Sequence, residues 1–197
     1  MPLYHADLSA GSLLLPESRL VARLLLSTRD RAAFDHAIRI ENVLQKSSPA
    51  SAIRQTRLIR LRLMTFPSSI WSLVADGDNE VATQALFAAA LKHSNLLADF
   101  VRTVVADHFR RLEKTLSPRS WEPFLDECAS RDASVATWSP LTRRKHLQVV
   151  VRILAEARLL ESTKSMHLLP FHINPLVKQT LCAVGEEDLV QSMELTP

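Results

Sequence analysis

Ser139-Pro140-Leu141-Thr142-Arg143-Arg144-Lys145-His146-Leu147-Gln148-Val149-Val150-Val151-Arg152-Ile153-Leu154 reads as the start and body of one helix. Serine at the cap followed by proline at the first helical position is a strong start signal. Leu147, Val150, Val151 and Leu154 then fall at i, i+3, i+4 and i+7, the spacing of a buried helix face. The same opening stands upstream, as Ser48-Pro49-Ala50-Ser51-Ala52-Ile53-Arg54, with Ala52, Ile59, Leu63 and Phe66 as its apolar stripe. Both openings read Ser-Pro-x-(Ser/Thr)-x-x-(Arg/Lys).

The composition around these segments is helical. The chain has 197 residues, enough for one domain or two small ones. Hydrophobic residues make up 47%, which is too many for a disordered chain. Only Gly11, Gly77 and Gly185 are glycine. Hairpins and phosphate-cradling loops need positive φ repeatedly, so this scarcity argues against both. An all-α fold is predicted.

Further helices are expected from Pro16 to about Thr28, from Asp30 through Val43 and Leu44 to near Gln45, and from Pro67 to Ala75. After Asp78 one runs through Leu91, and a long one runs from about Asn95 to Leu116. Ser117-Pro118 marks a predicted boundary, giving a helical body over 1–116 with a first helix-turn-helix-like pair and a C-terminal unit over 117–197. In that unit helix Trp121–Ala129, short helix Ala133–Trp138 and long helix Pro140–Arg158 precede two short apolar pieces around a polar turn. Helix, helix, recognition helix and a possible short β-hairpin is the order of a winged helix-turn-helix. A terminal helix from Pro175 to Ala183 and a loosely held acidic tail are expected to close the chain.

Charge is modest overall, +3 with a pI near 9.1, but it is unevenly placed. Residues 1–76 carry ten Lys/Arg against six acids, and 77–130 carry six against eight. Each Ser-Pro opening lies in a window without acids: five Lys/Arg between Glu41 and Asp76, four between Asp132 and Glu156. Cations in a first helical turn oppose the helix dipole. Two such windows point to a polyanion as counter-charge, with phosphates at the helix starts.

Other chemistry finds no support. No Walker loop, GxGxxG, GxSxG, HExxH or paired-cysteine motif is present, so no enzymatic role and no cofactor is proposed. Cys128 and Cys182 are isolated, which fits a reducing cytoplasm. His167 and His172 are five apart across a proline, a poor spacing for a metal. His36, His93 and His108 are lone helical histidines, and Asp99, Asp107 and Glu113 look like solvent-facing charge. The longest apolar run, Val81–Leu91, is about half a membrane span, and Met1–Leu8 lacks the order of a signal peptide. A soluble cytoplasmic protein is expected.

The segment Ile40-Glu41-Asn42-Val43-Leu44-Gln45-Lys46-Ser47-Ser48-Pro49-Ala50-Ser51-Ala52-Ile53-Arg54, with Arg60-Leu61-Arg62-Leu63, resembles the BrxA family of bacteriophage exclusion (BREX) defence systems. So does Leu8-Ser9-Ala10-Gly11-Ser12-Leu13-Leu14-Leu15-Pro16-Glu17-Ser18. Leu141-Thr142-Arg143-Arg144-Lys145, followed by Leu154-Ala155-Glu156-Ala157-Arg158-Leu159-Leu160, falls where that family carries a further helix. The resemblance covers about 8 to 170. It implies an all-helical monomer that binds double-stranded DNA through two helix-turn-helix units, beside a DNA methyltransferase and other defence proteins. The family has been likened to the antitermination factor NusB, which implies RNA. Some members are labelled inner-membrane proteins, for which these residues give no support.

Residues and resemblance together predict a non-enzymatic DNA-binding component of a phage-defence system. Ser51, Arg54, Arg57 and Arg60 are expected to line one contact surface, and Thr142, Arg143, Arg144, Lys145 and His146 the other. Most contacts would go to phosphates, with Arg143 or Arg144 reaching base edges. The alternatives are a helical adaptor that organises defence-complex proteins, or NusB-like RNA binding. Few exposed aromatics argue against single-stranded RNA, which is usually held by stacking.

Overall fold

The computed structural model describes residues 2–5, 8, 11–28 and 30–195. The fold is all-α. Its helices are α1 (Leu15–Ser27), α2 (Arg31–Arg39), α3 (Pro49–Leu63), α4 (Ser68–Asp76), α5 (Asn79–His93), α6 (Asn95–Phe100), α7 (Ala106–Arg110), α8 (Trp121–Arg131), α9 (Pro140–Glu156), α10 (Pro175–Ala183) and α11 (Glu187–Met193). A π-helical segment, Val101–Val105, joins α6 to α7, and 3-10 turns cover Pro118–Ser120 and Ala133–Thr137.

Two compact units make up the chain. One comprises Met1–Ser12, Ser94–Ile173 and Asp188–Pro197, the other Leu13–His93 and Asn174–Glu187. The Ser117-Pro118 step lies inside the first unit, where Ser117 caps a 3-10 turn through the Arg119 N–H.

In the second unit α1 packs on α3, α4 and α5, α2 on α3, and α10 on α4 and α5. Pro49 opens α3 and Asp78 opens α5, its carboxylate accepting from the Val81 N–H at 2.8 Å. Ala52, Ile59, Leu63 and Phe66 are buried as their spacing predicts. The Val81–Leu91 run is a core helix: all of it but Thr83 is buried. No helix among the described residues is long and apolar enough to cross a membrane.

Aromatic packing centres the first unit. Phe100 meets Trp121 and Phe124 edge-on, at 5.2 and 5.1 Å between ring centres. Trp121 Nε1 donates to the Arg143 carbonyl at 3.1 Å and so ties α8 to the start of α9. After α9 the chain doubles back. The Glu161 N–H donates to His167 O, Leu169 N–H to Leu159 O, Leu116 N–H to Met166 O and Leu168 N–H to Lys114 O. Three extended pieces thus lie side by side, with two isolated antiparallel bridges, Leu160–Leu168 and Thr115–His167. The polar turn between them is held by Ser162 Oγ, which accepts from the Lys164 and Ser165 N–H groups.

Three expectations are corrected. Helix α2 ends at Arg39, not near Gln45, because Asn42 turns left-handed at φ 49° and its side chain bridges to the backbone of Lys46. The long helix from Asn95 ends at Arg110, not Leu116. There Leu112 is left-handed at φ 56°, with Leu112 N–H on Phe109 O and Glu113 N–H on His108 O. This is the Schellman stop. The acidic tail is not loosely held, since α11 buries Val190 and Met193, and Leu195 beyond it is buried too.

Asp99 is the fourth correction. It is buried, not solvent-facing. Its carboxylate accepts from the Tyr4 hydroxyl at 2.6 Å, from Arg131 at 3.1 Å and from Arg102. Three donors are what a carboxylate needs to stay in the interior. Burial, and then the hydrogen bond to Asp99, push the Tyr4 hydroxyl far above its ordinary value. Asp132, which accepts the Tyr4 N–H at 3.0 Å, is held down to about 2 by that bond and by Ser134.

Candidate nucleic-acid interface

Both predicted basic clusters fall at helix starts, but the two starts are built differently. Ser139 caps α9: its hydroxyl accepts from the Thr142 N–H at 3.2 Å and lies 2.9 Å from the Thr142 hydroxyl. Ser48 occupies the cap position of α3 without a side-chain cap bond, so Pro49 alone marks that start.

Of the five residues predicted on α9, Arg144 and Lys145 are exposed and Thr142 is half-buried. Arg143 is turned aside. Its side chain is 18% exposed, with the guanidinium 2.8 Å from Glu122 and 3.7 Å from Asp126 of α8. These two acids already supply its counter-charge. His146 is corrected outright. It is fully buried, its ring edge-on to Trp138 at 4.8 Å, and it cannot reach a nucleic acid from there. A fifth consecutive helical residue has to face the core, because α9 buries Val150, Ile153 and Leu154 on the side where position 146 falls.

The structure adds Gln148 and Arg152, which the charge cluster at 142–146 does not include. Both are exposed and stand four and eight residues after Arg144, on the same face. The signal was present as the i, i+4, i+8 spacing from Arg144. The outer face of α9 is therefore Arg144, Lys145, Gln148 and Arg152, flanked by the exposed Leu141 at its start and Glu156 at its end. Beyond the helix, Arg158 and, in the Ser162–Ser165 turn, Lys164 are also exposed.

On α3, Arg54 and Arg57 are exposed and Ser51 and Arg60 half-buried. The Arg60 guanidinium lies over the Phe34 ring of α2, 5.4 Å from its centre. Arg62 points inward and is buried. Large apolar side chains stand among the outward arginines of α3: Ile53 and Leu61, with Met64 at its C-terminal cap, are 39%, 47% and 57% exposed, whereas α9 carries Leu141, at 59%, in its first turn. The two clusters lie in different units. Among the described residues no group of three His, Cys, Asp or Glu is placed to hold a metal ion.

Comparison with known proteins gives one consistent result. The BrxA family model matches residues 2–185. A BREX protein BrxA from Paramagnetospirillum magneticum is 40% identical over 195 residues, covering 99% of this chain and 98% of that protein. A BREX protein BrxA from Escherichia coli O9:H4 is 34% identical over 188 residues, covering 95% and 88%. The fold is similar to the crystal structure of an uncharacterized protein from Magnetospirillum magneticum, with a TM-score of 0.91 and 38% identity over 99% of this chain and 100% of that one.

Proposed function

The chain belongs to the BrxA family, and from that premise we propose that it is a non-enzymatic, cytoplasmic component of a BREX-type phage-defence system that binds double-stranded DNA. The observation that carries this reading is the outer face of α9. Arg144, Lys145 and Arg152 project from a helix whose opposite side is core. That helix follows α8 and a 3-10 turn, and it is followed by the paired segments around Ser162–Ser165. Such an order suits a winged helix-turn-helix, with α9 as recognition helix and the Ser162–Ser165 turn, carrying Lys164, as wing.

The physical case is electrostatic. No acid lies between Asp132 and Glu156, so Arg144 and Lys145 have no acidic neighbour within two turns on their own helix. Arg152 has Glu156 alone, whose carboxylate also accepts from the Ser12 hydroxyl. Duplex phosphates supply the missing charge, and counterion release supplies the affinity. Gln148 brings an amide able to pair with a base edge, adenine above all. Modest sequence preference over a strong phosphate background is expected. Other BREX proteins, a DNA methyltransferase among them, are the expected company of a monomer.

Fluorescence anisotropy with a labelled random duplex, repeated over a salt series, tests the proposal. Binding should weaken steeply as salt rises, with duplex DNA outcompeting RNA of the same length. Absence of binding at low salt would overturn the reading, and preference for RNA would move it toward the NusB-like alternative. That alternative has few stacking surfaces to use among the described residues: Tyr4 and Trp121 are buried, and Trp71 and Trp138 half-buried.

A further inference from the structure

We infer that the α2–α3–α4 face is a docking groove for an acidic amphipathic helix of a partner protein, separate from the DNA-binding face of α9. Two open clefts of about 490 and 420 Å3 adjoin there. They share Arg31, Phe34, Arg60 and Met64, so they form one continuous depression. The first extends toward Leu26 and Trp71, the second along α3 past Ile53, Arg57 and Leu61.

Three observations define the occupant. First, the rim is apolar where solvent would favour polar groups. Ile53, Leu61 and the cap residue Met64 run down α3 with Arg57 between them, at spacings of four, four and three, and Leu26, 40% exposed, lines the first cleft with Met64. A contiguous exposed patch of this kind marks a protein contact more than a phosphate contact. Regular helical spacing is the register into which a second helix lays its own apolar stripe.

Second, the charge around the groove is unbalanced. Arg31, Arg39, Arg57 and Arg60 line it against Asp30 and Asp35 alone. Asp30 is occupied as the cap of α2, accepting the Ala32 and Ala33 N–H groups, and Asp35 lies 3.8 Å from Arg31. Arg39 and Arg57 have no acidic partner among the described residues, and α3 itself contains no acid. A partner that fills the apolar depression and neutralises this rim has to carry Asp or Glu beside its apolar stripe. Third, Thr56 lines the second cleft at 6% exposure with its hydroxyl oxygen unpartnered, and Arg60 Nε is likewise buried without an acceptor. Buried polar atoms are ordinarily paired, and these two leave donors without an acceptor beneath the depression.

The test uses the full chain and a labelled synthetic peptide with Leu at i, i+4 and i+7 and Glu elsewhere, against the same peptide with Lys for Glu. The acidic peptide should bind and the basic one should not. Arg57→Glu and Met64→Glu should each weaken the acidic peptide about tenfold or more, a step of roughly 1.4 kcal/mol. Both positions are exposed, so circular dichroism should show unchanged folding. Arg144→Glu should leave peptide binding unaltered while weakening duplex DNA, which keeps this inference separate from the DNA reading. Equal binding of both peptides, no binding of the acidic one, or indifference to both variants would overturn it. So would loss of duplex binding in Arg57→Glu to the extent seen in Arg144→Glu, because α3 would then be a DNA surface. Self-association that Met64→Glu abolishes would also overturn it, in favour of a second copy of this chain.

Discussion

The Tyr4 hydroxyl donates to the Asp99 carboxylate at 2.6 Å, across 95 positions of sequence, and pins the N-terminal segment to α6. Leu3 and Tyr4 are held beside it, by Asn95 Nδ2 on the Leu3 carbonyl and by Asp132 on the Tyr4 N–H. An irregular segment thereby becomes core: Tyr4 is 2% exposed.

Removal of that hydroxyl by Tyr4→Phe leaves Asp99 with Arg102 and Arg131. A hydrogen bond to a charged acceptor is worth about 1.5–3 kcal/mol, and the variant should lose about that much in urea unfolding. Tyr4 is the only tyrosine, which gives a second readout. Its ionisation is pushed up in the folded state, by burial first and by Asp99 next. The folded chain therefore favours the neutral phenol, and this stabilisation is complete below about pH 10, the ordinary value, and is lost as pH rises above it. Tyrosinate absorbance should appear together with loss of near-ultraviolet circular dichroism. Ionisation near pH 10 with structure intact would refute this.

Leu112 should be better as glycine. It sits at φ 56° in the Schellman stop of α7 and is 72% exposed, so it has little packing to lose. A left-handed L-residue costs about 1–2 kcal/mol, while the added backbone freedom of glycine when unfolded costs about 0.5–1 kcal/mol. Leu112→Gly should raise thermal stability slightly, by up to about 1 kcal/mol. A fall of that size would mean that Leu112 makes contacts its exposure does not suggest.

His146→Ala separates a core role from a binding role. The side chain is fully buried against Trp138, and truncation of a buried side chain of this size costs about 2 kcal/mol or more. Duplex affinity of the folded variant should stay within about twofold of the parent. Unchanged stability with lost affinity would restore His146 to the interface.

Helix starts were legible because their signals are local. Pro16, Asp30, Pro49, Asp78 and Ser139-Pro140 each open a helix within a residue or two of the expected place. Helix stops were not, because a stop usually announces itself through glycine and here mostly does not. Of the stops at Asn42, Leu112, Arg158 and Gly185, each left-handed, only the last is glycine, and apolar periodicity runs on past the first three. The Arg158 stop repeats the geometry of Leu112, with Arg158 N–H on Ala155 O and Leu159 N–H on Leu154 O. Charge was legible as a cluster but not as a direction. Arg143 finds Glu122 and Asp126 on a different helix, a pairing that no spacing along α9 reveals.

That difference in direction yields the sharpest prediction about binding. Arg144, Lys145 and Arg152 face outward on α9, so each alanine substitution should leave about one duplex phosphate without its cation. The slope of log affinity against log salt should then shallow by roughly 0.9 for each phosphate no longer neutralised, with thermal stability shifted by about 0.5 kcal/mol or less. Arg143→Ala should behave in the opposite way. Its guanidinium is paired to Glu122 and Asp126, themselves 60% and 75% exposed, so the pairs are screened and their removal should cost no more than about 1 kcal/mol. The salt slope should stay unchanged, and affinity should fall slightly because the two freed carboxylates would then repel the duplex. Glu122→Gln with Asp126→Asn should strengthen binding for the same reason, by releasing Arg143 toward phosphate. Salt-series anisotropy on these variants decides the matter. If Arg143→Ala shallowed the slope while Arg152→Ala left it intact, the contact face would run along the α8 side of the helix, not along its outer side.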